Sequence, residues 1–155
     1  MQAIDDDLVS AMLLASRALV AVAARTLAST PHDVTLPQFR ALVVLATRGP
    51  QSAGALAEEL AIGPSSVTRL CDRLVRKGLI ERDHASADRR QVELRVTPEG
   101  RQLIDEVTEA RRLELVRLVA TIPEGRRALA AEALEALGRA AGEIPEQAWS
   151  AGWGE

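Results

Sequence analysis

What this 155-residue chain has little of already excludes several kinds of protein. It has one cysteine, Cys71, so no intrachain disulfide can form. One cysteine and two histidines, His32 and His84, are thin material for a metal cluster, and neither a metal ion nor a cofactor is expected. No Ser/His/Asp or Cys/His arrangement and no phosphate-cradling glycine loop stands out, so the chain does not read as an enzyme. No run of apolar residues approaches the roughly 18 that a membrane span needs. Asp5, Asp6 and Asp7 stand where a secretory leader would be basic. The expectation is a cytoplasmic protein with no membrane partner. Tyrosine and asparagine are absent and there is a single phenylalanine, so any small-molecule cleft would be aliphatic.

What is present fits one ordinary domain: at 47% hydrophobic the chain is long enough for a proper core and too short for two independent ones. The net charge of −3 argues against a general polyanion binder, but it is unevenly spread. From Pro64 to Arg90, seven basic residues (Arg69, Arg73, Arg76, Lys77, Arg82, Arg89, Arg90) stand against four acids (Asp72, Glu81, Asp83, Asp88), a local +3 that leaves −6 elsewhere. A basic stripe on an acidic body suits a DNA reader, which needs phosphate attraction only where the duplex docks. Taken alone, the same stripe reads more readily as a solvated charged face.

Periodicity and capping signals predict six helices and a hairpin. A first helix over 4–27 opens on acids that suit its N-terminus, and its apolar positions Leu8, Met12, Ala15, Leu19 and Val22, flanked by Val9, Leu13, Val20 and Leu27, form a stripe wider than one small domain requires. Thr35 and Pro37 start a second helix, stopped by Gly49-Pro50, and Ser52 caps a short third over 53–60. After the turn Ala61-Ile62-Gly63, Pro64 opens a fourth helix, with Val67, Leu70, Cys71 and Leu74 on one face and Ser65, Ser66, Thr68, Arg69, Asp72, Arg73 and Arg76 elsewhere. Gly78 ends it. This is a helix-turn-helix, and the half-buried strands 79–82 and 91–96 that follow, with Val92, Leu94 and Val96 facing inward around the loop 83–90, make a wing. Thr97-Pro98 starts a long helix to about residue 121, and Pro123 restarts a last one to about 141. The stretch 142–155, broken by glycine and proline and carrying Trp149 and Trp153, is expected to be a flexible tail.

In this order the elements resemble the multiple antibiotic resistance regulator (MarR) family of winged-helix proteins over nearly the whole chain. The most specific match is the wing signature Asp88-Arg89-Arg90 followed by a strand and Thr97, continued by Pro98-Glu99-Gly100; the second is residues 65–82, which resemble the family's recognition helix and its exit into the wing. The resemblance implies a mainly α fold, a winged helix-turn-helix lobe (30–100) with N- and C-terminal dimerisation helices (1–29 and 101–141). It implies a homodimer that binds a pseudo-palindromic operator in double-stranded DNA, with repression as the default. By the same resemblance the wing-tip arginine, here Arg90, enters the minor groove, with Arg89 beside it, and Asp88 orients the wing. A guanidinium suits the negative potential of a narrow minor groove.

Ser65, Ser66, Thr68 and Arg69 occupy the turns of the recognition helix that touch base edges, Arg69 either reading guanine or holding a phosphate. Arg73 and Arg76 are placed for phosphates or for pairing with Asp72 and Glu81. Family members bind small aromatic acids between the helical region and the lobe, which would fall here on Met12, Ser16, Arg17, Phe39, Arg40 and Val43. The alternative is a winged-helix protein-interaction module without specific DNA binding.

Overall fold

The computed structural model describes residues 6–84 and 92–145. Its elements run α1 (Asp6–Ala28), α2 (Leu36–Arg48), α3 (Ala53–Leu60), α4 (Pro64–Arg76), β1 (Ile80–His84), β2 (Val92–Val96), α5 (Pro98–Ala120) and α6 (Glu124–Ala140), the expected mainly α order with one hairpin.

Local chemistry sets most of these boundaries. At the start of α2, Gln38 N donates to Thr35 Oγ1 and Thr35 N donates to Gln38 Oε1, so two backbone donors with no helical partner are satisfied reciprocally. Ser52 Oγ accepts from Ala55 N at the head of α3. Thr97 Oγ1 accepts from Gly100 N at the head of α5. Helix α4 closes when Gly78 takes φ +70°, which lets Leu79 N donate back to Leu74 O and buries both leucines together.

The core lies around α2, whose Phe39, Leu42, Val43, Val44 and Leu45 are buried in contact with α1, α3, α4, α5 and β2. Leu56 of α3, Val67, Leu70, Cys71 and Leu74 of α4, Leu79, Ile80, Leu94, Val96 and the first turns of α5 complete it. The strands pair antiparallel with Ile80 opposite Val96 and His84 opposite Val92. Beyond the expected hairpin, Gln51 bridges to Leu94 through Gln51 N to Leu94 O (3.3 Å) and Leu94 N to Gln51 O (2.9 Å), which ties the wing to the segment between α2 and α3.

Four sequence expectations need correction here. Strand β1 continues through Asp83 and His84 instead of ending at Arg82, so the hairpin reaches further than the alternation of Leu79 to Arg82 implied. Val92 is 42% exposed, not inward, because it lies at the far end of the ladder, beyond the residues that cover Leu94 and Val96. Helix α1, at 23 residues, is long and apolar enough on average to cross a membrane, whereas no such stretch was expected; Ser10, Ser16 and Arg17 interrupt the consecutive run but not the average. At the start of the expected tail, Gly142 and Glu143 are bonded to Arg48 and Arg40 of α2, while Trp149 and Trp153 lie outside the described residues.

Three helices are left with open apolar faces. Only Val22, Thr26 and Leu27 of α1 are buried, α5 is buried only over its first turns, and α6 buries nothing. Leu13, Val20, Val116 and Leu129 are 58–68% exposed.

Candidate nucleic-acid interface

Helix α4 divides by chemistry. Val67, Leu70, Cys71 and Leu74 anchor one face in the core, so Ser65, Ser66, Thr68, Arg69, Arg73 and Arg76 are held on the exposed face, as their spacing predicted. Thr68 Oγ1 donates to Pro64 O (2.9 Å), which fixes its rotamer and leaves the hydroxyl oxygen free to accept. Arg69 and Arg73 make no ion pair or hydrogen bond with any described residue, and two guanidiniums on one exposed face have the chemistry that suits an anionic partner.

The expected pairing of Arg73 and Arg76 with Asp72 and Glu81 does not form among the described residues. Arg82 of β1 takes the Asp72 carboxylate (NH2 to Oδ1, 2.5 Å) because β1 runs beside α4 and presents its guanidinium there. Arg76 Nε instead donates to the Asp72 carbonyl (3.2 Å), and Glu81 stands opposite Arg95 in the strand register. The Asp72–Arg82 pair links α4 to the wing strand, and only the fold brings the two residues together. Arg95, outward by its alternation with Leu94 and Val96, is exposed on β2 and is a further cation on the wing that was not among the expected DNA contacts.

Asp88, Arg89 and Arg90 lie outside the described residues, as does the rest of the hairpin tip. What is fixed is the base that carries them: the β1–β2 ladder, the Gln51 bridge, and Thr97, whose N donates to Leu79 O (3.1 Å) and whose Oγ1 donates to Gly78 O (2.6 Å). At the same junction Gly100 approaches so closely that an added Cβ would lie 2.2 Å from Leu79 O. The end of α4, the start of β1 and the start of α5 are thereby locked to one another.

Cys71 is buried within this lobe, and burial pushes its thiol above the usual range, the nearby Arg82 lowering it and Asp72 raising it by smaller amounts. Such a thiol packs as a small apolar group. Among the described residues no group of three or more histidines, cysteines and carboxylates is placed to hold a metal ion.

The six candidate effector residues are dispersed. Phe39 and Val43 are core, with Arg111 stacked 5.5 Å from the Phe39 ring centroid; Met12, Ser16 and Arg17 are exposed on α1, the Ser16 hydroxyl donating to Leu13 O; and Arg40 forms a forked ion pair with Glu143. A hollow of about 440 Å³ does lie between the end of α1 and the start of α2, but its lining runs from Ala24 to Leu36 and includes none of the six.

Comparison with known proteins places this geometry. The sequence profile of the MarR family matches residues 34–92. The HTH-type transcriptional repressor MdtR of Bacillus subtilis is 34% identical over 110 residues, 71% of each chain. The crystal structure of RV1404 from Mycobacterium tuberculosis superposes with a TM-score of 0.86 at 37% identity, over 94% of this chain and 99% of that one. A MarR family protein from Bacillus stearothermophilus gives a TM-score of 0.78 at 25% identity, over 89% and 95% of the two chains.

Proposed function

Because the chain belongs to the MarR family of DNA-binding transcriptional regulators, we propose that it acts as a homodimeric repressor that sets α4 into the major groove and the wing into the adjacent minor groove of an operator. Ser65, Ser66, Thr68 and Arg69 then face base edges, Arg73 meets a phosphate, and Arg89 and Arg90 reach the minor groove with Asp88 orienting them. The observation that carries this reading is the outward face of α4, where Arg69 and Arg73 stand without partners among the described residues, opposite a buried apolar face. Repression is the activity in the name of the Bacillus subtilis relative, and occupation of an operator over a promoter achieves it sterically.

The open faces of α1, α5 and α6 support the dimer. Their large exposed side chains, up to 68% at Leu129, cost hydrophobic free energy that a second copy of the chain would recover. Arg17, set among Val9, Leu13 and Val20 at helical spacing, favours such a partially polar protein partner over lipid. Two-fold symmetry would present two α4 helices to half-sites about one turn of DNA apart, roughly 34 Å. A small molecule bound between the helical region and the lobe would change DNA affinity by favouring one arrangement of the two α4 helices.

The test is binding to the DNA upstream of the protein's own gene across a salt series. Wild type should bind tightly, with sequence preference and a steep salt dependence. Arg69→Ala should relax preference at one base pair, Arg73→Ala should weaken all sequences alike and reduce the salt slope by about 1, and Arg90→Ala should weaken operator binding. Failure to prefer any fragment of the genome over unrelated DNA would overturn the proposal. Light scattering should give twice the chain mass of 16.6 kDa.

A further inference from the structure

The end of α6 is built to hold something. Gly142 adopts φ +74°, and with Ala141 N donating to Leu137 O, Gly142 N to Arg139 O and Glu143 N to Gly138 O, all at 3.0 Å, the chain turns sharply off the helix axis and fixes the backbone of Glu143. That turn delivers the Glu143 carboxylate to α2, where Arg40 grips it with both terminal nitrogens, NH1 to Oε2 at 2.9 Å and NH2 to Oε1 at 2.6 Å. Eight residues further along the same helix, Arg48 NH2 donates to Gly142 O (3.1 Å) while its Nε faces Glu59 of α3 (3.4 Å).

These contacts stand out because, among the described residues, α6 has no other hydrogen bond or ion pair to the lobe. None of its residues is buried, and its apolar side chains Leu129, Leu134 and Leu137 point to solvent in the single chain. The latch therefore joins the far end of the helical arm to the two helices, α2 and α3, that support α4. Its geometry is forked and charge-assisted at Arg40, the arrangement that fixes orientation best for a guanidinium and a carboxylate.

We propose that Gly142 and Glu143 form a latch that holds the DNA-reading lobe at a fixed angle to the α5–α6 arm, and so pre-sets the orientation of α4 for DNA. The inference rests on the DNA-binding dimer proposed above. In a dimer joined through its helical arms, the angle between arm and lobe sets the separation of the two α4 helices. A lobe held in advance has less freedom to lose on binding, so releasing the latch weakens operator binding.

The test uses the full-length chain with Glu143→Gln, Arg40→Gln and the double variant, read by operator affinity and by hydrogen exchange at the Gly142 and Glu143 amides. Glu143→Gln removes a negative charge, which by itself would tighten binding to a polyanion. The latch predicts the opposite, a loss of roughly fivefold, the ratio equivalent to about 1 kcal/mol. The double variant should be no worse than the weaker single one, since both remove the same contact. Exchange at the two amides should accelerate in all three proteins without DNA present. Unchanged or tighter operator binding by Glu143→Gln, or exchange equal to wild type, would overturn the latch. A wild-type protein that exchanges slowly at these amides but binds no DNA would instead overturn the DNA-binding reading and, with it, the latch's role in binding.

Discussion

Gly100 gives the sharpest test of how this fold holds α4 against α5 and the wing. It occupies the first turn of α5, where alanine would ordinarily be better than glycine by up to about 1 kcal/mol. Here a Cβ would lie 2.2 Å from Leu79 O and 2.8 Å from Val96 Cγ1. A methyl group needs roughly 1 Å more than that from a carbonyl oxygen, and the obstacle is backbone, which cannot rotate away. Overpacking of this kind costs about 1–3 kcal/mol. Withdrawal of α5 would also stretch Thr97 N to Leu79 O (3.1 Å) and Thr97 Oγ1 to Gly78 O (2.6 Å), each worth about 1 kcal/mol. Set against the propensity gain, Gly100→Ala should destabilise the protein by about 2–4 kcal/mol, or lower Tm by roughly 5–15 °C at this chain length. Urea unfolding at one fixed protein concentration measures it, because a dimer's midpoint shifts with concentration. Gly54→Ala is the control: its Cβ would meet only Ser52 Oγ at 3.8 Å, and it should be neutral or slightly stabilising. A Gly100→Ala protein as stable as wild type would refute the close approach of α5 to Leu79.

Further outcomes follow from the same geometry. Cys71 should react with iodoacetamide more than about tenfold slower in the native than in the unfolded chain, since its thiolate is disfavoured by burial and reagent reaches it only on opening. Its folded pKa is raised, so the stability it contributes is present below the unfolded thiol pKa of about 8.5 and declines as pH rises above it; Cys71→Ala should flatten that decline between about pH 8 and 10, and an unaltered slope would count against the burial. Asp72→Asn should cost stability by no more than about 1 kcal/mol, because both partners are partly exposed, yet reduce operator affinity by loosening the wing against α4; equal affinity would show that the pair does not position the wing. Leu134→Glu, at a site 55% exposed in the single chain, should convert a dimer to monomers in sedimentation and make unfolding less dependent on concentration, whereas an unchanged dimer would place the interface elsewhere.

Which parts of this structure were legible beforehand follows from the range of the interactions involved. The caps at Thr35, Ser52 and Thr97 and the glycine stop at Gly78 are written within four or five neighbouring residues, and the two faces of α4 follow from its own period, so sequence reading placed them. Asp72 illustrates the opposite case. Arg76, one turn along α4, was the natural local partner for its carboxylate, but Arg82 takes it because β1 lies against the helix, a fact no short stretch encodes. Gln51 bonded to Leu94, and Glu143 gripped by Arg40 across more than a hundred residues, are hidden for the same reason. Gly100 is the extreme example, since in sequence it is merely a weak helix former. These non-local contacts are not scattered. Thr97 and Gly100 bind the Gly78–Leu79 corner, and Arg82 from the adjoining strand binds Asp72, all at or beside the exit of α4. Local signals therefore decide that α4 is an amphipathic helix, while the corner that follows it decides how that helix stands relative to the wing and α5. Under the proposed function, a substitution at that corner should alter DNA binding without removing any side chain of the outward face of α4.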